Sequence, residues 1–181
     1  MCRSRVIVED SRQQAHKHDA KHAWWAAHGV EVVTKKLDFG DYMADGSNVS
    51  VDTKRSIAEL AQNVGRDHAR FAREMDRARD AGCRLVVLVD APPRYRTVDD
   101  LALWTSDHCM ACGVRRGGHC DPHAKGRCGR HSTVKPIQGA RLASTVARMA
   151  ADHGAAVELC GRDEAAKRIC ELLGVDYEQE A

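Results

Sequence analysis

The residue types and spacing that could do chemistry fall in one stretch, 38–54, which reads DFGDYMADGSNVSVDTK. It sets an acidic turn, Gly40-Asp41-Tyr42, shortly before an alternating run, 48–54, that ends Asp52-Thr53-Lys54. In an extended strand successive side chains point to opposite faces, so Ser50, Asp52 and Lys54 share one face and Val49, Val51 and Thr53 the other. Asp52 and Lys54 then stand side by side, about 7 Å apart at roughly 3.3 Å per residue. Two carboxylates and an ammonium converging at a strand end suit metal-assisted hydrolysis of a phosphodiester. The carboxylates hold a divalent cation that polarises the phosphate and lowers the pKa of a bound water, and the ammonium steadies the developing charge. Asp10 closes an earlier apolar run, RVIVE at 5–9. It reads either as a further acidic member of the site or as a polar strand end.

These residues need a sheet to hold them. The run at 5–9 predicts a buried strand, Asp19 a helix cap, Gly29 the stop of that helix, and 30–37 a second strand. The stretch 38–54 predicts two strands joined by a turn with Asp45-Gly46 at its tip. Ser56 and Glu59 form a capping box, and Ile57, Leu60, Val64, Phe71 and Met75 continue a helical stripe that Gly65 breaks or bends. Arg66, Arg70, Arg73, Arg77 and Arg79 oppose Asp67, Glu74, Asp76 and Asp80 on its other face, which reads as a solvated surface with intrahelical ion pairs. Arg66, directly after the glycine, stands apart as a candidate contact. The run RLVVLVD at 84–90 predicts a parallel strand buried on both faces. Beyond it come a helix at 139–153 with Leu142, Val146 and Met149 inward and Gly154 as its stop, a strand at 155–159, and a last helix capped by Asp163 with Ala166, Ile169, Cys170 and Leu173 inward. The order predicts an α/β domain with a mixed central sheet flanked by helices. His18 and His22 share a helical spacing, but with no cysteine beside them they read, together with His16 and His28, as a solvated helix face.

The 181 residues suffice for one well-buried domain, and 43% hydrophobic with 30% charged residues argues against disorder throughout. A net charge of +2 says little about nucleic acid, so any basic footprint must be local. No run is long and apolar enough for a membrane span, and the N-terminus lacks a signal-peptide core, which together predict a cytoplasmic protein. In a reducing compartment clustered cysteines favour metal over disulfides. Of eight cysteines, Cys109, Cys112, Cys120 and Cys128 cluster, in a segment with few apolar side chains. A C-x2-C knuckle with two more thiolates downstream suits a tetrahedral, structural zinc ion, with His108, His119, His123 and His131 as alternative ligands. The same segment is basic. Arg115, Arg116, Lys125, Arg127, Arg130, Lys135 and Arg141 face only Asp121, either as a phosphate-binding surface or as solvated loop charge. The expected organisation is a core at 1–104 and 135–181 with a Cys/His-rich insertion at 105–134.

Asp10-Ser11-Arg12-Gln13, Gly40-Asp41-Tyr42, Val51-Asp52-Thr53-Lys54 and Gly65-Arg66, followed by the apolar strand at 84–90, together resemble the nuclease domain of the XPF-type structure-specific endonucleases, a branch of the PD-(D/E)XK superfamily. The family motifs D-x-R-E/Q, G-D-Y, E-R-K and G-R have counterparts here in the same order, the third as Asp52-Thr53-Lys54. The resemblance implies a restriction-endonuclease-like core that binds magnesium or manganese and cuts branched, flapped or junction DNA, with a homodimer possible. It implies Asp41 and Asp52 as metal ligands, Lys54 as the residue that orients the attacking water, Asp10 as a further acidic member, and Arg12 and Arg66 as supports or phosphate contacts. Asp52 stands where the family has glutamate, and Thr53 where it has arginine, which opens either altered substrate choice or lost activity. The chain ends without the family's tandem helix-hairpin-helix domain, as in compact forms from phages and bacteria, and the insertion could take over part of its DNA binding. Two other readings stay open: a catalytically weak DNA-binding or assembly module that works through the basic zinc insertion, and an insertion that is itself a zinc-dependent catalytic finger.

Overall fold

The computed structural model describes residues 5–13, 18–106 and 137–179. The first apolar run forms β1 (Val6–Asp10), followed by α1 (Asp19–Ala27) and β2 (Glu31–Lys35). The stretch after it supplies β3 (Tyr42–Met43) and β4 (Val49–Lys54), joined through the expected turn, where Gly46 takes φ +74°. The helical stripe is two helices, α2 (Ile57–Val64) and α3 (His68–Asp80), parted at Gly65. Next come β5 (Arg84–Asp90), a short 3-10 helix (Asp99–Leu103), α4 (Gly139–His153), β6 (Ala156–Cys160) and α5 (Ala165–Leu173).

The six strands form one sheet in the order β2-β1-β3-β4-β5-β6. β1 runs parallel to β2 and antiparallel to β3, β3 antiparallel to β4, and β4, β5 and β6 are mutually parallel. The sheet is therefore mixed, as expected. β5 shows how two cores fit on one strand: Leu85, Val87 and Val89 pack with Phe71, Met75, Leu142 and Val146 from α3 and α4, while Leu88 packs with Trp25, Ile169 and Leu173 from α1 and α5. Alternation along the pleat sends successive residues to opposite helix layers.

Two expected caps are displaced. α1 begins at Asp19 itself, with His18 in the capping position and no side-chain cap. α5 begins at Ala165 with Glu164 before it, so Asp163 lies in the preceding turn. Ser56 caps α2 as read, its Oγ accepting from Glu59 N at 3.2 Å, while Glu59 Oε2 accepts from Arg55 N, one residue before the cap, at 2.9 Å. Before α4, Gly139 N donates to Trp104 O at 2.9 Å and Ser106 N to Gln138 Oε1 at 3.1 Å. The chain leaves and rejoins the core at adjacent points. Cys109, Cys112, Cys120 and Cys128, the basic residues from Arg115 to Lys135, and His108, His119, His123 and His131 lie outside the described residues. Among those that are described, no helix is long and apolar enough to cross a membrane.

Candidate active site

The strand alternation of β4 holds. Asp52 and Lys54, 4% and 7% exposed, lie on one face with Lys54 Nζ 2.6 Å from Asp52 Oδ2. The two form a buried, charge-assisted pair. The ammonium also stands 5.1 Å from the Phe71 ring centre, a cation–π contact.

Thr53, on the opposite face, reaches Asp41. Its backbone N–H and Oγ1 donate to Asp41 Oδ2 at 2.9 and 2.5 Å. Gln13 Nε2 donates to Asp41 Oδ1. The Asp41 main chain is fixed as well, its N–H donating to Val51 O at 2.8 Å and its carbonyl accepting from Asp10 N at 2.9 Å. Gly40 makes this turn possible: its φ is +67°, a Cβ there would collide with Ser50 Oγ, and its N–H donates to Glu74 Oε1 at 3.2 Å.

Asp10 ends β1 at 5% exposure. Its Oδ2 accepts from Arg12 Nε at 2.8 Å and its Oδ1 from Leu37 N at 3.2 Å, while Arg12 also donates to Leu37 O at 2.5 Å. Both side chains brace the loop before the acidic turn. Asp10, Arg12, Asp41, Asp52, Thr53 and Lys54 all line one cleft of about 470 Å³.

Gln13, the last residue of the first motif, lines the same cleft, and so do residues to which neither strand alternation nor motif spacing points: Asn63, Arg70, Glu74 and Arg77. Arg70, Glu74 and Arg77 recur at helical spacing on α3, a signal that solvent-facing charge would give equally well. Arg66 does not join them. Its side chain is 74% exposed and stands 3.5 Å from Asp67, away from the cleft lining. One of the histidines, His18, differs from expectation, and His16 lies outside the described residues. His18 is 4% exposed with Nε2 2.7 Å from Gln13 Oε1, and His22 pairs with Glu9 at 3.0 Å. His18 packs edge-on against Tyr42, whereas the His22 side chain stays 42% exposed.

Carboxylates dominate the cleft: Asp10, Asp38, Asp41, Asp52, Glu59 and Glu74 outnumber Arg12, Lys54, Arg70 and Arg77. Burial pushes the Asp52 carboxyl up, to about 7, with Asp41 and Glu74 adding to the rise and Lys54 opposing it. Burial alone would depress the Lys54 ammonium, but the carboxylates of Asp52, Asp41 and Glu74 outweigh it and hold its pKa above the ordinary value. Such a cleft has an uncompensated demand for positive charge. Among the described residues no group of three or more His, Cys, Asp or Glu side chains is arranged as a metal site. The pair Asp41 and Asp52 still fits a hard divalent cation of the magnesium type, which takes one or two carboxylates and completes its shell with water and phosphate oxygens.

No family model matches the sequence, and no curated protein matches it. Solved structures do. XPF from Aeropyrum pernix superposes on 93% of this chain with a TM-score of 0.53 at 16% identity, and the same protein in complex with DNA on 94% with a TM-score of 0.54 at 16% identity. The chain has an XPF-type nuclease fold. It spans 63% of the length of the XPF chain, and 64% in the DNA complex. Within the XPF-type fold the cleft lies at the carboxyl end of β4, beside the acidic turn.

Proposed function

We propose that this chain is a divalent-metal-dependent DNA endonuclease that cuts branched, flapped or junction DNA in the cytoplasm of a bacterial or phage-infected cell. The observation that carries the reading is the convergence of Asp41, Asp52 and Lys54 in one acidic cleft of an XPF-type fold, with the Asp52 carboxylate buried against the Lys54 ammonium. The DNA complex of the A. pernix protein supports DNA as the substrate.

Asp41 and Asp52 would hold magnesium or manganese, which when bound supplies Lewis-acid polarisation of the phosphate and a more acidic water. Thr53 and Gln13 fix the Asp41 carboxylate by donating to both of its oxygens, so its orientation is set before substrate arrives. Lys54 presents a buried ammonium at the same point, where it orients the nucleophile and offsets charge that builds on the phosphate. Asp10 and Arg12 keep the loop at Leu37 against the turn. Arg12 retains a 59% exposed side chain with which to meet a phosphate. A structural zinc on Cys109, Cys112, Cys120 and Cys128, added basic contacts from the insertion, and a homodimer belong to the same proposal.

A panel of labelled single-strand, flap, splayed-arm and four-way-junction DNA, incubated with and without magnesium, tests it. Cleavage should need the metal, favour a branched substrate and fall at least about 100-fold in Asp52→Ala, the scale of losing a group that stabilises transition-state charge. Undiminished cleavage by Asp52→Ala would remove the site. Binding without cleavage in either magnesium or manganese would leave a DNA-binding module. Elemental analysis of protein purified without chelator reads the zinc.

A further inference from the structure

The charge on α3 is unevenly spent. Arg79 takes the acidic partners, with Nη1 2.8 Å from Asp76 Oδ1 and Nη2 3.2 Å from Asp80 Oδ1, and Asp76 also meets His153 Nδ1 at 2.8 Å. Glu74 is turned to Gly40 N. Arg70, Arg73 and Arg77 are exposed, and among the described residues no carboxylate lies within ion-pair distance of any of them. Their spacing of three and four residues puts them on one face, opposite Phe71, Met75 and Ala78, which anchor α3 in the core. Two of them, Arg70 and Arg77, line the cleft that holds Asp41, Asp52 and Lys54. An intrahelical ion-pair network, which the sequence suggested, would have neutralised this face; here it is left cationic and faces a site rich in carboxylates.

We infer that this face of α3 is the track on which the sugar–phosphate backbone of one DNA strand leaves the cleft. This rests on the endonuclease reading and gives that site a direction. Seven residues of helix separate Arg70 from Arg77, about 10 Å at 1.5 Å per residue. That span covers about three intervals of roughly 3.4 Å of helix axis along one strand, so each of the three guanidinium groups has a phosphate within reach. Guanidinium groups suit the contact because each offers a planar fork of donors to phosphate oxygens and stays charged at any working pH. The acidic metal-demanding pocket repels a phosphate chain, so a cationic rail beside it is what would draw the strand into place before the metal-bound step.

The test is the salt dependence of binding, measured apart from cleavage. Full-length Asp52→Asn protein in EDTA is titrated against a labelled duplex with a single-strand tail from 50 to 300 mM salt, and log Kd is plotted against log salt. Replacing Arg70, Arg73 and Arg77 together by glutamine should weaken binding and lower the slope by about 2.7, at ~0.9 for each phosphate no longer neutralised. Arg79→Gln, which removes an arginine of the same helix already held by Asp76 and Asp80, should leave the slope where it was. An unchanged slope in the triple variant would overturn the track, as would an equal fall in Arg79→Gln, which would mean net charge alone. Metal-dependent cleavage by the otherwise wild-type chain reads the endonuclease proposal separately, so failure of the track and failure of the function give different results.

Discussion

Asp52 keeps a carboxylate where burial favours its acid form, and this makes the apo protein sensitive to pH. Its pKa rises from 3.8 to about 7 on folding, so between those values the folded chain retains a proton that the unfolded chain releases. Stability therefore falls as pH rises through this window, by at most ~1.4 kcal/mol per pH unit, and levels off above it. Chemical denaturation in EDTA at a series of pH values should show the decline, and Asp52→Asn should flatten it; an equally steep decline in the variant would place the cause elsewhere. Thr53 offers a second measurement. Thr53→Val keeps the shape but removes the hydroxyl that donates to Asp41, and a hydrogen bond to a charged group is worth about 1.5–3 kcal/mol. Turnover should drop about tenfold or more with little change in DNA affinity, whereas a family arginine replaced at this position with no role taken up by threonine would leave Thr53→Val silent. The pairing of Asp52 with Lys54 was legible because strand alternation alone puts them together. The grip of Thr53 on Asp41 was not, since it depends on how closely the turn approaches β4.

At the scale of elements, the turn at Gly40 and the break at Gly65 decide the site. Gly40→Ala combines a left-handed φ with a collision at Ser50 Oγ, and its Cβ would also stand 3.1 Å from Val51 O. A cost of about 1–3 kcal/mol is expected, read as a lower denaturation midpoint, together with abolished cleavage because Asp41 shifts with the turn. A midpoint equal to that of the unmodified chain would show that the turn gives way freely. The glycine at 65 has a subtler effect on what can be read. It separates α2 from α3, so the phase of the second helix does not follow from the first. Arg66, one residue past the break, is exposed and lies outside the cleft lining, while Arg70, Glu74 and Arg77 on the restarted helix line the cleft. Their spacing is visible in the sequence; the rotation of α3 about its axis is not, because Phe71, Met75 and Ala78 fix it only by packing on β5 and α4.

For the whole molecule, the alternation of strands and helices was enough for an α/β class and a mixed sheet, but not for the strand order. The two residues of β3 carry no pattern of their own, yet they sit antiparallel between β1 and β4 and so bring Asp10 beside Asp41. The exit and return of the chain around 107–136 have a different consequence. Ser106 and Gln138 are tied to each other, and Gly139 to Trp104, so the two ends meet whatever lies between them. Replacing 107–136 by a short Gly-Ser linker should leave the unfolding free energy of the core, measured by chemical denaturation, within about 1 kcal/mol, because loop-closure cost changes by only ~0.6 kcal/mol per doubling of length. Unfolding of that shortened chain would show that the core depends on the segment. A seam of this kind makes the protein modular in heredity as well as in shape. The segment can lengthen, shrink or be exchanged without renegotiating the sheet, so its sequence can evolve on a separate clock from the cleft.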